Sequence, residues 1–122
     1  MKTILLFLSI FISTSAFTQN SAEIFMAIGK GNVSSFSDKL MADVELCFDT
    51  QQDFFSKAEA IIKLNAFFTK IKPISGKHMH NGSSKDKSST YSVGELNTET
   101  GNYRVFVYFE GNKIAGISFY PS

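Results

Sequence analysis

Asp49, the pair His78 and His80, and the single cysteine Cys47 are the residues whose types could carry chemistry in this sequence. Asp49 ends a strand-like pattern and is followed by the polar run Thr50-Gln51-Gln52-Asp53. A carboxylate there can act as a general base if it is partly desolvated and a donor faces the reacting oxygen. Tyr91, Tyr103 and Tyr108 are the phenols that could donate. The plainer reading makes Asp49 a turn-starting residue.

His78 and His80 are two apart, which puts both on one face of a strand. A zinc site takes three or four ligands. No Cys or carboxylate cluster lies near them in the sequence, so no metal is expected. Cys47 has Glu45 and Asp49 as same-face neighbours and no base to activate it as a nucleophile. The sequence has no Ser-His-Asp order, and its glycines are dispersed rather than gathered into a phosphate loop. No cofactor is expected.

A second constellation suits binding. Arg104, Phe106 and Tyr108 alternate along one strand face. Arginine and aromatic residues are favoured at protein contacts. A protein partner or a second copy of the chain would explain an aromatic face that helices leave bare. The competing reading pairs Arg104 with Glu95 or Glu110 on an exposed sheet.

These residues depend on the elements that hold them. Asn102 to Glu110 is the longest run of strand formers and is expected at the centre of a sheet, with Tyr103, Val105, Val107 and Phe109 toward the core. Upstream, Asn20 to Glu23 opens a helix that Gly29-Lys30-Gly31 stops, and a shorter helix follows from Asn32. Asp43 to Asp49 is expected as the first strand, and Thr50 to Asp53 as a connection. Ser56-Lys57-Ala58-Glu59 is a capping box that starts the main helix. Ala58, Ile61, Leu64, Phe68 and Ile71 mark its buried side, Ile62 and Phe67 widen that stripe, and Pro73 ends it. Strands follow at Ile74 to Ser84, Thr90 to Asn97, the central run, and Ile114 to Tyr120, with a polar loop from Ser83 to Ser89. The order is ααβαββββ, an α+β class with helices on one face of a curved antiparallel sheet.

The N-terminus reads as a leader rather than as fold. Lys2 precedes an apolar run from Ile4 to Ile12, and small residues follow at Ser13 to Ala16. That is the pattern of a secretory signal peptide. The run is shorter than the roughly 20 residues a spanning helix needs, so no membrane anchor is expected. Cleavage is placed between Ala16 and Gln19, with residues 1–17 as leader and 18–122 as one exported domain, periplasmic or extracellular. The chain holds 12 Lys and Arg against 11 Asp and Glu; losing Lys2 with the leader leaves the charges balanced. A balanced domain has no basic stripe for nucleic acid. One Cys allows no internal disulfide, so the core must hold the fold; the chain's 13 Phe supply it, less Phe7, Phe11 and Phe17, which leave with residues 1–17.

Several stretches then carry a resemblance. They are Val44-Glu45-Leu46, Ser56-Lys57-Ala58, Phe67-Phe68, His80-Asn81-Gly82-Ser83-Ser84, Tyr91 to Leu96, and Thr98 through Gly101-Asn102-Tyr103-Arg104-Val105. Together they resemble a domain-of-unknown-function family of small exported Bacteroidetes proteins with a nuclear transport factor 2-like, or cystatin-like, fold. That fold implies a cone with a pocket at its open end. It hosts enzymes, ligand binders and protein-binding modules. The resemblance draws attention to His80 through its His-x-Gly-x-Ser stretch. Ketosteroid-isomerase-like members of the fold imply proton abstraction by a carboxylate placed like Asp49, with a tyrosine such as Tyr91 as donor. The leading expectation is a non-catalytic module that binds a small apolar ligand in the cone or a protein on the sheet, the latter through Arg104, Phe106, Tyr108 and His80. An isomerase or lyase using Asp49 or His80, and a structural homodimer, are the alternatives.

Overall fold

The computed structural model describes residues 20–83, 85 and 89–122. The expected leader lies outside the described residues, as does much of the Ser83 to Ser89 loop.

Residues 20–29 form helix α1. Two single 3-10 turns follow, Val33–Ser35 and Ser37–Lys39, where a second α-helix is expected from the sequence. Val33 and Phe36 are buried there, so the expected apolar positions do face the core; Ser34, Ser35 and Ser37 favour short turns over a regular helix. Strand β1 (Leu40–Phe48) starts three residues earlier than expected. Strand β2 (Gln51–Ser56) replaces the expected connection. Helix α2 (Lys57–Ile71) then leads to β3 (Pro73–Ser83), β4 (Ser89–Thr98), β5 (Gly101–Glu110) and β6 (Lys113–Pro121).

Ser56 caps the helix as expected: its side chain accepts from the Glu59 N–H at 3.3 Å, the N-cap half of the capping box. The helix ends at Lys72, whose left-handed backbone lets its N–H donate to the Phe68 carbonyl. Ala60, Leu64, Phe68 and Ile71 are its buried residues, so Ala60 takes the inward place expected of Ala58, and Ile62, expected to widen the buried stripe, is exposed instead.

The six strands form one sheet in the order β2-β1-β6-β5-β4-β3. All neighbours are antiparallel except β1 and β6, which are parallel, so the sheet is mixed rather than antiparallel throughout. The parallel contact joins Leu46 to Ile117 and Phe48 to Phe119, residues some 70 apart in sequence that no local pattern links. β5 lies beside β6 in the middle of the sheet, as its alternation predicts.

One face of the sheet carries the core. Val44, Leu46, Leu96, Val105, Val107, Ile114, Ile117 and Phe119 are all fully buried there against Leu64, Phe68 and Phe36. α1 packs on the β3–β4 end of this face. Gly29 approaches Gly76 so closely that a β-carbon on Gly29 would fall within the Gly76 backbone, and one on Gly76 would run into the Phe25 carbonyl oxygen. Burial of the Phe25 ring beside Gly94 and His78 completes that corner.

Candidate functional site

The helix-bearing face leaves a cleft at one end, where the β1–β2 turn, the middle of α2 and the chain end converge. Its volume is about 480 Å³, within the range of small-molecule sites. Phe48, Phe67, Tyr103 and Pro121 form its apolar walls. Phe48 ends β1's alternation: Val44, Leu46 and Phe48 all point to the helix side, and the last reaches past the buried core. Phe67 meets Phe48 at 4.7 Å between centroids, Phe119 at 4.9 Å, and Tyr103 edge-on at 5.6 Å. Aromatic pairs in such tilted and edge geometries are mutually stabilising. The floor is therefore a rigid ring cluster continuous with the core.

The rim is polar. Lys63, Lys70 and Asp49 carry its charges, with Thr50 and Gln51 beside them. A second lobe of similar volume continues past Lys63 toward Phe55 and Asp53. Lys63 Nζ lies over the Phe55 ring, 5.7 Å from its centroid, a cation–π arrangement. No motif pointed to Lys63 and Lys70. The available signal was their spacing: Lys63, Phe67 and Lys70 follow i, i+4, i+7 and share one side of α2.

Asp49 lies on this rim but in solvent. It sits at the β1–β2 turn with φ 62°, and its N–H donates to the Phe119 carbonyl at 2.8 Å. Its turn-forming reading is the one the geometry matches, and the desolvation a general base requires is missing. Tyr91 is remote from it. Tyr91 pairs with Tyr108 on the opposite face, five residues along β5 from Tyr103, or roughly 17 Å. Tyr103 is the one phenol of the expected three that shares the cleft with Asp49.

The histidines are separated. His78 pairs with Gly94 and His80 with the adjacent Val93, so Met79 is an extra residue in β3. This bulge turns the two imidazoles to opposite faces, correcting the expectation that they share one. On the helix side, His78 Nε2 is 2.9 Å from Asn81 Oδ1, which also accepts from Ser92 Oγ at 2.6 Å. The Ser21 hydroxyl completes the chain, 2.8 Å from Ser92 Oγ. These bonds tie α1 to β3 and β4. His80 is exposed on the outer face. Among the described residues, no group of three or more His, Cys, Asp or Glu could hold a metal.

The outer face gathers the binding candidates. Strand register places His80, Val93, Phe106, Ser118 and Cys47 in one row across the sheet. Tyr91 and Tyr108 stand in the next row, between Gly82 and Gly116. Phe106 stacks on Tyr108 at 6.2 Å and meets Tyr120 edge-on at 5.9 Å. The rings thus half-cover one another and the glycines beneath them. Arg104 pairs with Glu95 at 2.9 Å in an exposed ion pair, which matches the competing reading of that residue. Burial raises the Tyr108 hydroxyl above its ordinary range, helped by the nearby Tyr120 hydroxyl and Glu45, against a lowering hydrogen bond with Ser118.

Residues 21–118 match the family model described as Domain of unknown function (DUF4783). A DUF4783 protein from Bacteroides ovatus is similar in structure, with TM-score 0.74 and 27% identity over 83% of this chain and 94% of that one. A Bacteroides fragilis member gives TM-score 0.73 and 26% identity, covering 82% and 96%. An NTF2-like protein of unknown function from Cytophaga hutchinsonii gives TM-score 0.53 at 11% identity, covering 82% and 84%, which speaks for the fold alone. No curated protein matches the chain. With the family model spanning most of the sequence and the mixed sheet and helices described above, the chain belongs to the DUF4783 family and has a nuclear transport factor 2-like α+β fold.

Proposed function

We propose that this protein is an exported, non-catalytic binding module that holds a small apolar ligand in the cleft floored by Phe48, Phe67 and Tyr103. The observation that carries the reading is the cleft itself: about 480 Å³ of open space bounded by half-exposed rings. Exposed aromatic surface gains most from being covered by an apolar partner. The solvent position of Asp49 and the separation of His78 from His80 favour binding over proton transfer. The leader-like N-terminus supports export, and the family match begins just beyond it, at residue 21.

The test is a titration of the purified protein with the neutral fluorescent probe N-phenyl-1-naphthylamine. Saturable binding is expected, lost in Phe67→Ala while circular dichroism stays unchanged. Absence of saturable binding, or equal binding by Phe67→Ala, would overturn the reading.

A further inference from the structure

The cleft's charges say what kind of apolar molecule it suits. Lys63 and Lys70 stand two helical turns apart on α2 with Phe67 between them, and all three line the same cleft. Among the described residues, Arg104–Glu95 is the one ion pair. Among the described residues, neither lysine has a carboxylate within pairing distance; Lys63 rests on the Phe55 ring, and no ion pair or hydrogen bond holds the Lys70 ammonium. The opposing charges are Asp49 on the rim and Asp53 in the second lobe. One Asp53 oxygen accepts from the Phe54 N–H at 2.8 Å. The lobe around Phe67 therefore has two cations against one anion, although the chain beyond the leader is balanced overall.

We propose that the ligand is an acidic amphiphile, a carboxylate on an apolar body. The body lies on Phe67, Phe48 and Tyr103. The carboxylate meets the ammonium of Lys70, and Lys63 adds positive potential from the other end of the ring. Lysine suits this role because it is a compact point charge on a flexible stem, able to follow a carboxylate without the fixed fork geometry of arginine. The inference rests on reading the cleft as a ligand site and adds the sign of the ligand's charge.

The experiment compares three probes of equal chain length by calorimetry on the purified protein: dodecanoate, dodecan-1-ol and dodecyltrimethylammonium. Dodecanoate is expected to bind about tenfold more tightly than the alcohol, and the cation more weakly than either. The preference should shrink between about 0.01 M and about 0.1 M salt, as screening between exposed charges grows. Lys63→Gln with Lys70→Gln should erase the preference and leave alcohol binding in place. Both lysines are solvent-exposed, so the variant keeps its fold. Asp49→Asn should strengthen dodecanoate binding. Equal affinity for acid and alcohol, or a preference that survives the lysine substitutions, would overturn the acidic ligand and leave the apolar cleft standing. Failure of all three probes to bind would overturn the cleft reading itself.

Discussion

Phe48 of β1 and Phe67 of α2 meet with ring centroids 4.7 Å apart and planes at 45°. Both also touch Phe119, which is fully buried and lies parallel to Phe48 at 5.7 Å. One cluster thus fastens the helix to the sheet and floors the cleft. The two roles separate by burial. Phe119→Ala empties a closed site and is expected to cost about 3–5 kcal/mol. Phe67→Ala removes a half-exposed ring and should cost about 1–2 kcal/mol. Urea unfolding of both variants measures the difference; equal losses would contradict this division.

The glycines give a second contrast. A β-carbon at residue 76 meets the backbone of Phe25 and Gly29, which cannot yield without moving α1. A β-carbon at residue 82 meets the outer atoms of the Tyr91 ring, which can swing toward solvent. Gly76→Ala is therefore expected to destabilise by about 3 kcal/mol and Gly82→Ala by about 1 kcal/mol. Thermal unfolding checks the order, and a larger loss for Gly82→Ala would count against the packing described.

Tyr108 sets a pH dependence. Its folded hydroxyl holds its proton to higher pH than the unfolded chain, chiefly because of burial. Between the ordinary value of 10.0 and the raised one, the unfolded state therefore binds fewer protons than the folded state, and stability falls as pH rises. The contribution is fully present below pH 10.0 and is lost above it. Tyr108→Phe should flatten the stability profile above that point relative to the parent. A parallel profile in the two proteins would contradict the assignment.

Much of the fold was legible because the signals were local. The alternation of Tyr103 to Phe109 and the Ser56 cap are written in adjacent residues, and both are present. What escaped was set by distant partners. β2 looks like a polar connection because nearly all its side chains face water; its pairing with β1, from Asp43–Ser56 to Phe48–Gln51, makes it a strand. The β1–β6 parallel contact and the Met79 bulge likewise depend on registers invisible in either strand alone. The cleft was only partly legible. In the sequence Phe67 and Tyr103 read as packing residues, and the lysines flanking Phe67 look like ordinary helix surface.

Export has its own check. Protein recovered from outside the cytoplasm is expected to begin within residues 17–19, after loss of the leader. Intact-mass measurement reads this directly. Retention of Met1 to Ala16 in that fraction would contradict a cleaved leader.

The cleft is tested most directly by aromatic carbon NMR during titration with dodecanoate. The ring signals of Phe48, Phe67 and Tyr103 are expected to shift together and saturate, while those of Tyr91, Phe106 and Tyr108 on the outer face stay in place. Shifts confined to the outer-face rings, or no saturable shift, would contradict the claim that the cleft is where this protein binds.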